Sequence, residues 1–184
     1  MLIRSLVLYS SVTGNTGKVA KRIAEVLRRE GHDVALVEVD EKTSVDLLAY
    51  DLVFLGSAVH QWLPTKTMVN YVKRMLKLYF SSSVIVPSSP IRPSKYAVCF
   101  CTYSGPHAGV SEAIPATKWM RAFFEHVGFT VLEEWHIIGE FKNNEENSTI
   151  GRLGNIKGRP DEHDLAEIEN RVTGILNALK LMQE

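Results

Sequence analysis

The sequence predicts an α/β fold of three layers, in which an open parallel five-stranded sheet carries helices on both faces. Apolar runs of strand length alternate with amphipathic segments of helix length along the chain. The run at residues 51–56 is too apolar for a strand with one face in water. Short connections allow the right-handed crossovers that link parallel strands. Because 184 residues suffice for one well-packed core, we expect one domain over residues 1–184.

The strands are predicted from β-rich or apolar runs bounded by turn-forming residues. These runs are residues 6–9, 33–39, 51–56, 96–101 and 130–138. In the fourth run, Cys99 and Cys101 lie two residues apart and so face the same side of the strand. One Cys-x-Cys pair matches neither a zinc site nor a disulfide framework, so we interpret both as buried small apolar residues.

The helices are predicted from apolar residues that recur at helical spacing. The first helix has its apolar stripe at residues 19–27 and stops at Gly31, after two arginines. Further helical segments are predicted at residues 45–48, which is a weak one, 65–79 and 110–127. The last helix starts at Pro160 with acidic residues in its first turn, and its apolar stripe runs from Leu165 to Leu179.

Residues 10–17 connect the first strand to the first helix and combine glycines with hydroxyl side chains. A helix start leaves N–H groups free and carries partial positive charge, which favours a phosphate. Ser11, Thr13 and Thr16 can donate to phosphate oxygens. The glycine patterns of nucleoside-triphosphate and dinucleotide sites are absent, and no cation lies within the turn. We therefore predict a site for one terminal phosphate, in which the hydroxyls serve the ligand rather than the core.

At this stretch the chain resembles the flavodoxins. Their signature, Ser/Thr-x-Thr-Gly-x-Thr directly after the first strand, is present as Ser11-Val12-Thr13-Gly14-Asn15-Thr16. The resemblance implies the strand order 2-1-3-4-5 and a bound flavin mononucleotide, FMN. It also implies that the FMN phosphate is held by Ser11, Thr13, Gly14, Asn15 and Thr16. The alternative is an ordinary Ser/Thr-rich turn before a helix N-cap.

In a sheet of this order the ligand lies at the carboxyl ends of the strands. The loop after the third strand, Ser57 to Pro64, is similar in position to the flavodoxin loop that packs against one side of the flavin ring. The resemblance implies cofactor contacts from Ser57, Ala58, His60 and Trp62. Trp62 can stack on the ring, and His60 can approach the flavin edge or a substrate. The alternatives are a surface hydrophobe beside a helix and a solvated histidine.

The loop after the fourth strand, Thr102 to Gly109, is similar in position to the second ring-contacting loop. The resemblance implies that Tyr103 stacks on the ring and that the backbone of Thr102, Ser104 and Gly105 meets its pyrimidine edge. The alternative is a Gly-Pro turn with an incidental tyrosine. His107 is as ambiguous as His60 and carries less weight. The histidines interpreted as solvated or packed are His32, His126, His136 and His163.

Residues 140–160 form an extended loop on the same ligand edge, and loops of this length inside a domain are often lids or binding loops. The loop contains Phe141, Arg152, Lys157 and Arg159. A basic lid can receive an anionic partner such as a nicotinamide dinucleotide, and a subunit contact is an equal alternative. The connection at residues 81–94 is expected at the opposite edge, as a packing or oligomer contact.

The composition excludes several classes of protein. Hydrophobic residues make up 45% and charged residues 23%, as in ordinary globular proteins. The 21 basic and 21 acidic residues balance, which argues against a nucleic-acid partner. No apolar run is long enough to cross a membrane, and no signal peptide precedes the first strand, so we expect a cytoplasmic protein without a transmembrane segment. The sequence leaves homo-oligomer formation open.

Two functions follow from the resemblance. The first is an FMN-binding carrier that transfers electrons between redox protein partners. The second is an FMN-dependent NAD(P)H:quinone reductase or a protoporphyrinogen-oxidase-like oxidoreductase, which the long loop and the neutral charge favour, because carrier flavodoxins are typically strongly acidic. The sequence identifies no catalytic acid or base and no metal ligands. A weaker third alternative is an FMN-binding subunit or sensor within an assembly.

Overall fold

A parallel sheet of five main strands forms the centre of the molecule, in a computed structural model that describes residues 2–182. The main strands are β1 (Arg4–Ser10), β2 (Asp33–Glu38), β3 (Leu52–His60), β5 (Tyr96–Tyr103) and β6 (Thr130–Ile138). Their order is β2-β1-β3-β5-β6, and a two-residue strand, β4 (Leu63–Pro64), pairs antiparallel with the end of β3. Counted over the main strands, this is the predicted order 2-1-3-4-5.

Between residues 2 and 182, five α-helices connect or flank these strands. They are α1 (Asn15–Arg29), α2 (Lys66–Ser81), α3 (Ile114–Val127), α4 (Glu145–Thr149) and α5 (Glu162–Leu181). Short 3₁₀ helices cover Leu47–Ala49 and Gly109–Glu112. The second of these replaces the start of the helix predicted at 110–127. Pro115 then lies in the first turn of α3, where a backbone N–H would have no partner within the helix.

The sheet separates two apolar cores because successive residues of each strand point to opposite faces. On one face, Leu6, Leu55 and Cys99 pack with residues of α2 and α3. On the other face, Val7 and Phe54 pack with residues of α1 and α5. Both layers of helices therefore bury the sheet, which explains why the central strands are apolar on both sides. The free thiols of Cys99 and Cys101 are buried, as predicted.

Helix ends follow the expected signals. Helix α1 ends before Gly31, whose φ of 82° is a left-handed conformation that glycine adopts readily. Helix α5 begins with a capping box, in which the carboxylates of Asp161 and Asp164 each accept from the other residue's backbone N–H. The connection at 81–94 packs at the amino edge of the sheet, where the Arg92 guanidinium donates to the carbonyls of Val127 and Val84. Its placement at the opposite edge is confirmed.

The structure differs from the prediction at the carboxyl ends of two strands. Strand β3 runs to His60 rather than to residue 56, and β5 runs to Tyr103 rather than to residue 101. The extra residues continue the ladders, since Ala58 pairs with Thr102 and Tyr103 with Ile138. The extended loop predicted at 140–160 contains a helical turn, α4. The polar residues at these strand ends did not indicate a strand, because their pairing depends on the neighbouring strands.

Gly56 in β3 gives a test of the packing. A Cβ at this position would lie 1.9 to 2.4 Å from three atoms of the Phe100 ring. We expect Gly56→Ala to lower the free energy of unfolding by about 3 kcal/mol, because the ring is enclosed in the core. In the control Gly174→Ala, nothing lies within 4 Å of the new Cβ and the helix gains stability, by about 0.5–1 kcal/mol. Urea unfolding of both variants checks this, and equal stabilities would contradict it.

Candidate functional site

The turn between β1 and α1 is shaped around one hydroxyl. The Ser11 Oγ accepts hydrogen bonds from the N–H groups of Gly14, at 3.1 Å, and Gly17, at 3.3 Å. Gly14 precedes the helix with a φ of 93°, a left-handed conformation that strains residues with a side chain. The turn is therefore fixed by its own residues before any ligand arrives.

The start of α1 lacks the usual partners of a helix N-terminus. Gly14 offers no side-chain cap, and the first turn contains no acidic residue. The first helical bond runs from the Lys18 N–H to the Gly14 carbonyl. Within residues 2–182, the N–H groups of Asn15 and Thr16 have no acceptor, and an anion with several acceptor oxygens is the ligand that suits them.

Thr16 links this turn to the end of β5. Its buried hydroxyl lies 2.8 Å from the Thr102 hydroxyl, and either oxygen can be the donor. One hydroxyl proton is used within the pair, so the other stays available for a ligand oxygen. The expectation that the hydroxyls serve the ligand rather than the core is thus wrong for Thr16, because its hydroxyl also joins two elements of the fold.

Asn15 is only 5% exposed and faces the segment after β6. Its Nδ2 donates to the Glu140 carbonyl at 2.9 Å, while its buried Oδ1 has no partner among the described residues. An unpaired buried acceptor is unfavourable unless a ligand donor reaches it. The free N–H groups suit the phosphate of FMN and this acceptor suits a hydroxyl of its sugar-alcohol chain, so the residues present fit FMN.

The predicted loop at 57–64 is a tight hairpin between β3 and β4. Gln61 and Trp62 form its turn with positive φ angles of 49° and 65°, and Trp62 is 62% exposed. His60 is exposed beside it. The hairpin thus projects a large aromatic face into solvent at the carboxyl edge of the sheet.

Ser57, by contrast, is engaged inside the protein. Its hydroxyl donates to the Ala58 carbonyl and accepts from the Thr65 N–H, both at 2.9 Å. The Thr65 hydroxyl in turn donates to the Ser10 Oγ at 2.7 Å. This network fastens the ends of β1 and β3 to the start of α2.

The prediction that Tyr103 lies in a loop is wrong. Tyr103 is the last residue of β5 and is 8% exposed. Its ring packs in the core on the α3 side of the sheet, and burial raises the pKa of its phenol. The Ser104 hydroxyl donates to the Gly139 carbonyl at 2.7 Å. Gly105 turns the chain with a φ of 49°, and a Cβ there would lie 2.6 Å from the Gly109 carbonyl oxygen.

The segment 139–160 reaches across both ligand-edge loops. The Lys142 ammonium donates to the Thr13 carbonyl at 2.7 Å, and the Arg152 N–H donates to the Pro106 carbonyl at 2.8 Å. Ser148 is buried and bonds to the backbone N–H and carbonyl of Phe141. Sequence reasoning missed Lys142 as a neighbour of the turn, and no spacing signal links residues so distant in the chain.

The structure brings most of the predicted site residues to one edge. The residues placed around the α1 start are Ser11, Thr13, Gly14, Asn15, Thr16, Thr102 and Ser104. Trp62 and His60 project from the neighbouring strand end, whereas the rings of His32 and His136 lie elsewhere. Ile3 N–H donates to His32 Nδ1, His136 Nε2 is 2.8 Å from the Thr117 hydroxyl, and burial lowers the pKa of both histidines.

Comparison with known proteins identifies relatives of this chain. Residues 6–95 match the model of a flavodoxin domain. A flavodoxin from Aquifex aeolicus (strain VF5) is 39% identical over 160 residues, which cover 81% of this chain and 82% of that protein. Among solved structures, oxidised flavodoxins 2 and 1 from Bacillus cereus each give a TM-score of 0.67, at 19% and 14% identity. Both alignments cover 95% of this chain, and 99% and 97% of those chains respectively.

The Thr16–Thr102 contact gives a stability prediction. We expect Thr16→Val to lower the free energy of unfolding by about 1–2 kcal/mol, because it leaves the buried Thr102 hydroxyl without its partner. Thr13→Val is the matched control, since no described residue bonds to the half-buried Thr13 hydroxyl, and we expect a change within about 0.5 kcal/mol. Urea unfolding of the ligand-free proteins measures both. Equal losses in the two variants would remove the structural role of the threonine pair.

Proposed function

Because the chain belongs to the flavodoxin family, we propose that it is a carrier that exchanges electrons between redox protein partners through one FMN. It is an FMN-binding, flavodoxin-like electron-transfer protein. We further propose that its redox partners are proteins, that FMN lies at the carboxyl edge of the sheet, and that residues 1–184 form one domain. The observation that carries it is the uncapped start of α1, whose free N–H groups face the edge where three loops converge.

We place the FMN phosphate against the turn at residues 11–16. The free N–H groups of Asn15 and Thr16 and the hydroxyl of Thr13 supply donors there, and the helix dipole favours the negative charge. The flavin ring is placed between the β3–β4 hairpin and the turn at 102–107. Strands β3 and β5 are neighbours in the sheet, so these two turns lie side by side.

For the stacking residue we favour Trp62 over Tyr103. Trp62 is 62% exposed, whereas Tyr103 is 8% exposed and can offer little more than an edge to the ring. A large aromatic on a tight turn provides contact area at small entropy loss. Backbone groups of Ser57, Ala58 and Gly105 remain our candidates for the polar edge of the flavin.

FMN supplies the redox chemistry, since its ring can take up and release electrons. The protein's residues hold and shield that ring. Trp62 would cover one face of the ring and exclude water from it, and buried Thr102 and Thr16 would hold the edge of the site in place. None of the polar side chains at this edge is assigned a role as catalytic acid or base, as suits a carrier that converts no substrate.

The working environment is a further part of the proposal. Among residues 2–182, no helix is long and apolar enough to cross a membrane. We place the protein in the cytoplasm, with support from its two free thiols, which suit a reducing compartment. Self-association would use the exposed Phe80 and Ile91 around the 81–94 connection.

Stacking is tested by Trp62→Ala. We expect the emission of bound FMN to rise and the Kd for FMN to increase about fivefold, because the variant loses an aromatic contact that quenches the flavin. Phe80→Ala removes another exposed aromatic, far from the ligand edge, and should change neither quantity. Fluorescence titration of the ligand-free protein with FMN measures both. An unchanged emission in Trp62→Ala would contradict the assignment.

Carrier and reductase are separated by anaerobic titration of the FMN-loaded protein with NADPH and then NADH. For a carrier we expect the flavin absorbance to persist, with bleaching only on photoreduction, which is the control for redox competence. Rapid bleaching by either nucleotide would instead establish the NAD(P)H-dependent reductase. The ordered segment 139–160 over the ligand edge is the observation that favours that alternative, as a site for the nucleotide.

A further inference from the structure

Resting on the FMN placement proposed above, we infer that Lys142 is the cation of the phosphate site. Its ammonium supplies from the segment after β6 the positive charge that the turn at 11–16 lacks. Lys142 would thereby set the preference of the protein for FMN over riboflavin, which has the same ring and no phosphate.

The turn itself has no basic residue, as its sequence Ser11-Val12-Thr13-Gly14-Asn15-Thr16 shows. Lys18 is the nearest cation along the chain, one turn into α1. Its side chain lines a groove on the flank of α1, together with Lys21, Arg22 and Pro160. Lys18 thus borders a groove between α1 and α5, and a cation at the turn itself would have to come from another segment.

Lys142 meets that requirement. Its Nζ lies 2.7 Å from the Thr13 carbonyl oxygen and 3.8 Å from the position that a Cβ of Gly14 would occupy. The ammonium thus sits at the two residues that lead directly into the free N–H groups of α1. It has three protons to donate, and the carbonyl accepts one, so two remain for phosphate oxygens.

The backbone that carries Lys142 is held on both sides. The Glu140 N–H donates to the Arg159 carbonyl, and the Glu140 carbonyl accepts from Asn15 Nδ2. Behind it, a Cβ at Gly139 would lie 2.8 Å from Asn15 Nδ2, so this contact depends on glycine. The Phe141 N–H donates to the buried Ser148 hydroxyl. These bonds fix the two residues before Lys142, and so limit the entropy lost when the ammonium engages a ligand.

The neighbouring acidic groups do not neutralise this ammonium. Within residues 2–182, Lys142 is in no ion pair. The Glu140 carboxylate accepts from the Gly158 N–H, and Glu145 pairs with Lys157 at 2.6 Å. No carboxylate of the described residues therefore lies within ion-pair distance of the Lys142 ammonium. Because Lys142 is exposed, its effect on a phosphate will be moderate and sensitive to salt.

The test compares FMN with riboflavin. Ligand-free wild type, Lys142→Gln and Lys142→Arg are titrated with each flavin at low and at high NaCl concentration. We expect Lys142→Gln to raise the Kd for FMN about tenfold at low salt, because a charge-assisted contact is lost. Its Kd for riboflavin should not change, its FMN deficit should shrink at high salt, and Lys142→Arg should restore wild-type affinity within about threefold.

Lys157→Gln is the matched control, since it removes the same charge from the same segment at a residue already paired with Glu145. It should leave both Kd values unchanged. Equal losses for FMN and riboflavin in Lys142→Gln would overturn the proposal and assign Lys142 to holding the segment in place. Unchanged FMN affinity in Lys142→Gln would overturn it as well.

Thr13→Val separates this proposal from the FMN placement. If Thr13→Val weakens FMN but not riboflavin while Lys142→Gln changes neither, the phosphate lies at the turn and only the role of Lys142 is wrong. If wild type shows no preference for FMN over riboflavin, the phosphate placement fails, and the role of Lys142 fails with it.

Discussion

The site depends on the free N–H groups at the start of α1. A helix start carries partial positive charge and needs an anion or a cap, and here the N-cap residue Gly14 has no side chain to provide one and the N–H groups of Asn15 and Thr16 stay free. The turn is nevertheless held by its own residues, since Ser11 accepts from Gly14 and Gly17 and the buried stripe of α1 packs on the sheet. Under the FMN placement proposed above, this turn would offer the phosphate a position formed in advance, which lowers the entropy that binding loses.

The order of the parallel strands places the other ligand-edge loops around this position. Because the strand order is β1, β3, β5, the hairpin with Trp62 lies beside the turn at 11–16, and the turn after Tyr103 follows along the same edge of the sheet. The hydroxyl pair of Thr16 and Thr102 connects across the sheet and fixes the spacing between two of these loops. Beneath them, Gly56 leaves the space that the ring of Phe100 occupies on the neighbouring strand. The same side chains thus serve stability and ligand geometry, so substitutions here need a stability measurement beside each affinity.

The segment 139–160 lies against two of these loops. It contacts the phosphate turn through Asn15 and Lys142 and the turn after β5 through Arg152 and Ser104. Its bonds are mostly to backbone carbonyls and N–H groups, so its path depends on both loops being in their native positions. Under the FMN placement proposed above, this segment would shield the cofactor from water and Lys142 would place a charge near its phosphate. The hairpin side would stay open to a redox partner.

Local patterns in the sequence determined the fold class and the turn at 11–16, and the resemblance that this turn carries implied the strand order. Apolar runs mark strands buried on both faces, and the glycines and hydroxyls at 11–17 mark a turn into a helix. The tertiary structure alone decided that Tyr103 is buried, that Ser57 is engaged by Thr65, and that Thr16 shares its hydroxyl with Thr102. It also decided that Lys142 lies over Thr13, 129 residues earlier in the chain. These contacts are set by strand pairing and by a folded-back segment, so no local spacing in the sequence encodes them.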